Sequence, residues 1–365
     1  MHDEVSFRIS LWCYRLKLLP NRKRGIVKLS LGRQPSTRRA SLVIQFVKIL
    51  IITLTAMLTL SVGSAFAVSS LPRWSPPFSI GLSSSVGKQV NYSISCPSIK
   101  LCIVVSGNGD VSYRRHGFWT SPTLLSLGGS IDSISCANQT FCVAVASGES
   151  ATYNGHSWSR AIKMGPKKDT YEVSCPTTTF CAAVGDSAIP GQASAILAFD
   201  GRSWINYGVF PTRGAKDRLV SVSCSTPQFC MAVNLDGEIL GFNGKTWSPS
   251  RPFGGASLVS VSCASSGFCM AVTLTGEESM YRDGTWSSEQ PIEGFKNAGA
   301  YSISCVSVSE CTVIGLSGMV ATRMSGRWLS PLLVFPGEPA AGVAISCASL
   351  VQCVAVNDRG LSTSR

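Results

Sequence analysis

Fourteen of the fifteen cysteines in this 365-residue chain fall into seven pairs of one spacing, Cys-x5-Cys. They are Cys96 with Cys102, Cys136 with Cys142, Cys175 with Cys181, Cys224 with Cys230, Cys263 with Cys269, Cys305 with Cys311, and Cys347 with Cys353. The fifteenth, Cys13, stands apart. First cysteines follow one another at 40, 39, 49, 39, 42 and 42 residues, the length of one four-stranded propeller blade. Each unit opens on an alternating strand such as Val220-Ser-Val-Ser-Cys224, crosses a five-residue loop, and resumes with an apolar strand such as Cys230-Met-Ala-Val233. Alternation puts valines on one face and serines on the other. A Gly-containing turn, a third strand and a second turn then lead to a tryptophan, as in Asn154-Gly155-x-x-Trp158, Asp200-Gly201-x-x-Trp204 and Asn243-Gly244-x-x-Trp247. Asn-Gly and Asp-Gly are expected there because tight hairpin turns need positive φ. The result is an all-β fold, a seven-bladed propeller over residues 68–365.

Paired cysteines hold either metal or each other. Zinc ligands sit two to four residues apart and often include histidine, whereas the chain after residue 67 has only His116 and His156, outside any such register. Disulfides are therefore expected in all seven pairs, with no metal and no cofactor. Strands flanking a short hairpin loop place facing Cα atoms about 4.5–5.5 Å apart, within reach of a disulfide. Closing so short a loop is worth about 2 kcal/mol per bridge.

Tryptophan arithmetic predicts how the ring closes. Units one to six end in Trp119, Trp158, Trp204, Trp247, Trp286 and Trp328, while the seventh runs out at Arg365 without one. Arg73-Trp74-Ser75-Pro76 resembles Thr246-Trp247-Ser248-Pro249 and has no cysteine pair before it. The strand around Trp74 is thus expected to complete the blade begun by Cys347 and Cys353. Closure of this kind removes the exposed edges of an open array.

The net charge of +12 first suggests nucleic acid. Its distribution excludes that reading: residues 1–48 hold eleven Lys/Arg against Asp3 and Glu4, and the remainder is nearly balanced at 21 against 18. Residues 49–67 carry no charge and end in Ala65-Phe66-Ala67, the pattern of a signal peptide cleaved after Ala67. An uncleaved anchor is the alternative. Residues 1–67 are read as this leader. Export, to the cell surface or beyond, also suits an even set of cysteines.

The repeat resembles the secreted bacterial seven-bladed β-propellers whose blades carry Cys-x5-Cys and a Gly-x-x-Trp turn. The Asp-box and kelch propellers are more distantly similar: the Asp-box spacing is Asp-x-Gly-x-x-Trp, against Asp200-Gly201-x-x-Trp204, and the kelch Gly-Gly pair is missing. This resemblance implies a general propeller scaffold, a fold more than a defined activity.

No Gly-x-Ser-x-Gly, His-Glu-x-x-His or phosphate loop is present, and two histidines are poor material for a triad. Gly107-Asn-Gly-Asp110 and Leu235-Asp-Gly-Glu238 read as β-turns rather than calcium loops. Paired carboxylates could still meet in space. Loops between second and third strands, and links between blades, share one variable face. Unit three carries its insertion there, Gly185-Asp-Ser-Ala-Ile-Pro-Gly-Gln192. Lys163, Lys167, Lys168, Arg213, Lys216 and Arg218 lie in the neighbouring links and are the candidate binding residues, since variable loops on a rigid scaffold are where ligands bind. The expected function is an extracellular binding or interaction module for a polysaccharide or protein, acting as a monomer. A carbohydrate-active hydrolase with its site at the channel mouth and a structural or adhesive envelope protein are the alternatives.

Overall fold

The computed structural model describes residues 8–9, 12–13, 73–82, 91–165, 170–186, 194–210, 218–248, 251–252, 256–296, 299–337 and 342–365. It divides into two units, Met1–Ser70 and Leu71–Arg365. In the first, Arg8–Ile9 pairs antiparallel with Trp12–Cys13, and the expected signal segment lies outside the described residues. The second unit contains seven antiparallel sheets.

Each sheet is one blade, and the first strands of successive blades pack side by side. They are Tyr92–Ser98, Ile131–Asn138, Thr170–Thr177, Leu219–Thr226, Leu258–Ser265, Ala300–Ser307 and Val343–Ser349. The last packs against the first, so the ring is closed around a central channel. Seven apolar clusters fill the seven gaps between neighbouring blades. Val104, Val143, Val184, Val233, Val272, Val313 and Val354, all from second strands, are fully buried in them. A single blade exposes both faces of its sheet, so its neighbours supply the burial it lacks.

Blade seven is assembled as expected. Gln352–Asn357 and Leu361–Ser364 extend its sheet, and Phe78–Ser79 pairs with Leu361 and Ser362 from the outside. Upstream, the Ser75 N–H donates to Ser364 O at 2.8 Å, and the Ser364 N–H donates to Ser75 Oγ at 3.1 Å. Each tryptophan packs in the gap between its own blade and the preceding one. Trp158 lies between blades one and two and Trp204 between blades two and three. Trp74 packs in the gap between blades six and seven, the place of a seventh-blade tryptophan.

The serine before each first cysteine has a structural use that alternation alone does not reveal. Its Oγ accepts the N–H of the first cysteine in the next blade, at 2.9–3.0 Å, at all seven junctions, ending with Cys96 N–H to Ser346 Oγ. A second ring, two residues earlier, is complete at five junctions: Ser93, Ser133, Ser221, Ser260 and Ser302 accept from Ile134, Val173, Val261, Ile303 and Ile345. Blades three and seven lack that serine, having Glu172 and Ala344 instead.

All seven expected disulfides form. Cys96 is bonded to Cys102, Cys136 to Cys142, Cys175 to Cys181 and Cys224 to Cys230. Cys263 is bonded to Cys269, Cys305 to Cys311 and Cys347 to Cys353. The hairpin geometry expected around them needs correction. Their Cα–Cα separations are 3.9–4.0 Å, closer than the facing residues of a regular antiparallel pair. The cause is a β-bulge. Asn138 pairs with Phe141 and Cys136 with Cys142, so Ala137 is extra and the loop shrinks to two residues. The same register shift follows the first cysteine at Cys224, Cys263, Cys305 and Cys347.

The Trp turns also differ from expectation, being of two kinds. In blades one, five and six, His116-Gly117, Asp283-Gly284 and Ser325-Gly326 both take positive φ, the two-residue primed turn, and the tryptophan follows as Gly-x-Trp. In blades two to four only the glycine has positive φ. Asn154, Asp200 and Asn243 instead accept two backbone N–H groups each on a side-chain oxygen, which explains the extra residue before Trp.

Candidate functional site

The start of each first strand, where the chain arrives from the preceding blade, lies at one mouth of the channel, opposite the cysteine hairpins. Four positions there depart from the repeat. In blades two, four, five and six a bulge leaves Asp132, Val220, Val259 and Tyr301 without a partner on the second strand. In blades one, three and seven, Tyr92, Tyr171 and Val343 at that register pair regularly and are buried. A bulge re-aims its side chain: Asp132 becomes half-buried and Tyr301 is 37% exposed.

Asp132 replaces an apolar residue with a charge, and its oxygen is held by two backbone donors. Asp132 Oδ2 accepts the N–H of Ser147 and of Tyr171, the second from the next blade, both at 3.3 Å. Burial outweighs these donors and pushes the carboxyl up to about 6. Glu172, one residue beyond Tyr171, stands where most blades have serine. Its Oε2 accepts the Ser133 hydroxyl at 2.9 Å. Burial raises the Glu172 carboxyl to about 7, against the lowering effect of Ser133, and the neighbouring Asp132 adds to the rise. Across the channel, the Tyr301 phenol is also raised, first by burial and then by Glu172, while Arg218 opposes the shift. Asp132, Glu172, Arg218 and Tyr301, from blades two, three, four and six, thus form one electrostatic group.

Arg218, exposed at the start of the fourth blade, is the one sequence candidate in this group. Lys163 is exposed on the edge strand Ile162–Lys163 at the outer rim of blade two. The structure therefore does not bring these two together. Lys167, Lys168, Arg213 and Lys216 lie outside the described residues, as does most of the unit-three insertion. Motifs and charge runs do not single out Asp132, Glu172 or Tyr301. Their signal is the absence of recurrence: aligning the seven first strands by register leaves Glu172 and Ala344 as the departures from five serines, Glu172 the one charged, and the preceding position isolates Asp132.

The cysteine hairpins and the Trp turns share the opposite face. Gly155 has φ +94° and lies so close to Thr140 that a Cβ would sit 3.1 Å from Thr140 Cγ2. Gly107–Asp110 forms a hairpin turn, with the Asp110 N–H donating to Ser106 Oγ at 3.2 Å.

No family model matches the chain, and no curated protein matches it either. Solved structures are similar to it, a WD40 β-propeller domain among them. A virginiamycin B lyase from Staphylococcus aureus, catalytically inactive and with quinupristin, superposes with a TM-score of 0.62 at 8% identity, covering 80% of this chain and 99% of that one. YCF48 bound to D1 peptide gives 0.60 at 14% identity, covering 81% and 96%. The WD40 propeller domain of Doa1 gives 0.59 at 10% identity, covering 76% and 92%. At these identities the likeness is one of fold. The chain is a seven-bladed β-propeller with one disulfide in every blade.

Proposed function

We propose that the chain is an extracellular binding module of the cell envelope that takes its ligand at the variable-face mouth of the channel. The observation that carries this reading is the convergence of Asp132, Glu172, Arg218 and Tyr301 at that mouth. A ring of near-identical blades has no packing reason to place a carboxylate pair on two inner strands with a guanidinium at the head of the next. Polar groups gathered on a rigid scaffold are the usual means of orienting a ligand. A protein or peptide segment is the favoured ligand class, and the propeller fold shared with the peptide-bound YCF48 agrees with it. Export is supported by seven disulfides, which persist in oxidising compartments. No helix among the described residues is long and apolar enough to cross a membrane.

The test is capture of envelope proteins and of purified wall polymer by the immobilised chain, followed by titration of whatever is retained. Glu172→Ala, Arg218→Ala and Tyr301→Ala should each weaken binding at least tenfold. Lys245→Ala, exposed on the other face, should leave it unchanged. Equal binding by all four variants refutes the site.

One observation favours a second reading, a carbohydrate-active hydrolase. A carboxyl of raised pKa beside a second carboxyl is the pairing from which general acid catalysis of glycoside hydrolysis is built. Turnover of chromogenic glycosides by the wild type and its loss in Glu172→Gln would establish that reading over the first.

A further inference from the structure

The guanidinium of Arg365 reaches into the gap between blades six and seven and has no carboxylate among its hydrogen-bond partners. Nη1 donates to Thr322 Oγ1 at 2.7 Å and Nη2 to Thr312 Oγ1 at 2.8 Å; Nη2 also lies 3.4 Å from Cys353 Sγ. Nε is buried without a partner, and the group sits 5.4 Å from the centre of the Trp74 ring. Burial lowers its pKa to about 10, so it stays protonated at neutral pH while lacking an anion. The register position of Arg365, opposite the second cysteine, holds Tyr153, Phe199, Phe242 and Tyr281 in blades two to five. Arg114, opposite Cys102, and Arg323, opposite Cys311, occupy it in blades one and six. Arg114 Nη2 donates to Ser364 Oγ, and Arg323 Nη2 contacts Met280 Sδ. Only the seventh disulfide therefore has a guanidinium hydrogen-bonded to its sulfur among the described residues.

We propose that the bond between Cys347 and Cys353 is a site of thiol–disulfide exchange, preferentially opened by a dithiol, with Arg365 stabilising the departing thiolate. Cys353 is fully buried and Cys347 is half-buried on the cysteine-loop face. Cys347, the more exposed partner, supplies the sulfur that an incoming thiolate attacks. That attack forms a mixed disulfide with Cys347 and breaks the bond to Cys353, and the electron pair leaves on Cys353 Sγ beside the guanidinium. The second thiol of the dithiol, as thiolate, then attacks its own mixed-disulfide sulfur and releases Cys347. The reagent ends oxidised to a disulfide, and Cys347 and Cys353 end reduced, taking up the two protons of the dithiol. A leaving thiolate of lowered pKa departs faster. Around the opening, Ile99, Val308 and Val351 from the hairpins of blades one, six and seven are 58%, 48% and 58% exposed, a surface suited to a protein dithiol such as a thiol–disulfide oxidoreductase. The consequence is local to ring closure, because Arg365 also anchors blade seven to blade six and to Trp74.

The experiment exposes the folded chain to limiting dithiothreitol, alkylates free thiols at intervals, and quantifies all seven pairs by peptide mass spectrometry. The pair of Cys347 and Cys353 should open several-fold ahead of the other six. Arg365→Met should slow that pair about tenfold, and Arg365→Lys should restore part of the rate. Glutathione, a monothiol, should leave its adduct on Cys347. Another pair opening first, acceleration by Arg365→Met, or an adduct on Cys353 overturns the proposal. The wild-type order and adduct position decide the matter even if the Met variant does not fold.

Discussion

Blades two to five and blades six, seven and one solve the same packing problem with different chemistry. In the first group an aromatic residue stands opposite the second cysteine and packs, with tilted rings, against the tryptophan of its own blade. Tyr153–Trp158, Phe199–Trp204, Phe242–Trp247 and Tyr281–Trp286 have ring centroids 5.2–5.5 Å apart. A phenylalanine before the second cysteine of the preceding blade extends the contact, as in Phe141–Phe199, Phe180–Phe242 and Phe229–Tyr281. In the second group arginines replace the aromatics, and Glu310 and Gln352 replace the phenylalanines of blades six and seven. The aromatic arc is stabilised by apolar area and ring contacts. The arginine arc keeps buried cations, among them Arg323 with Nε and Nη1 unpaired. The arginine arc also contains the junction between chain ends, so the less satisfied packing coincides with ring closure.

The largest expected effect that sharpens this contrast is at Phe199. Phe199→Ala removes a fully buried ring and should lower stability by about 3–4 kcal/mol in denaturant unfolding. Arg323→Met should cost less, about 1–2 kcal/mol, because two of its buried guanidinium nitrogens have no hydrogen-bond partner, although the neighbouring buried Glu278 loses its counter-charge. Equal losses in the two variants would abolish the distinction. The second serine ring gives a smaller test. Ser221→Ala should cost about 1 kcal/mol, and Ala344→Ser should gain somewhat less by offering an acceptor to blade one.

The acidic group gives a pH test. Asp132 and Glu172 hold their protons more tightly folded than unfolded, so the folded state binds more protons between about pH 4 and 7. Stability from this pair is therefore present at low pH and is lost as pH rises through 6 and 7. Thermal scans should show a melting temperature falling from pH 5 to pH 8 for the wild type. Glu172→Gln should flatten that fall, with Tyr301 and Arg218, the other charged or titratable members of the group, left in place. A wild-type curve that rises over the same interval would contradict the assignment.

The ring and its closure were legible because both rest on repetition. Seven cysteine pairs count the blades, and one displaced tryptophan, Trp74, locates the missing strand. The serine rings were visible as a pattern without their purpose, since a hydrogen bond to the next blade has no signature within one blade. The channel group escaped because a search for recurring residues passes over Asp132 and Glu172, which each occur once at their register. Tyr301 is harder still. Tyr92 and Tyr171 share its register from the cysteine and are buried, and only the bulge at Tyr301 sets it apart. Among the basic candidates, residue type alone could not distinguish Lys163 at the rim from Arg218 at the centre.

Hydrogen exchange at the amides of Ser364 and Arg365 tests ring closure most directly. In the full chain these amides should be protected to the level of Ala355 in the same blade, because Ser75 Oγ and Cys353 O accept them. In a chain lacking residues 73–82, protection should be lost at Ser364 and kept in blade four. Free exchange at Ser364 in the full chain, or protection that survives the deletion, would contradict closure by the strand around Trp74.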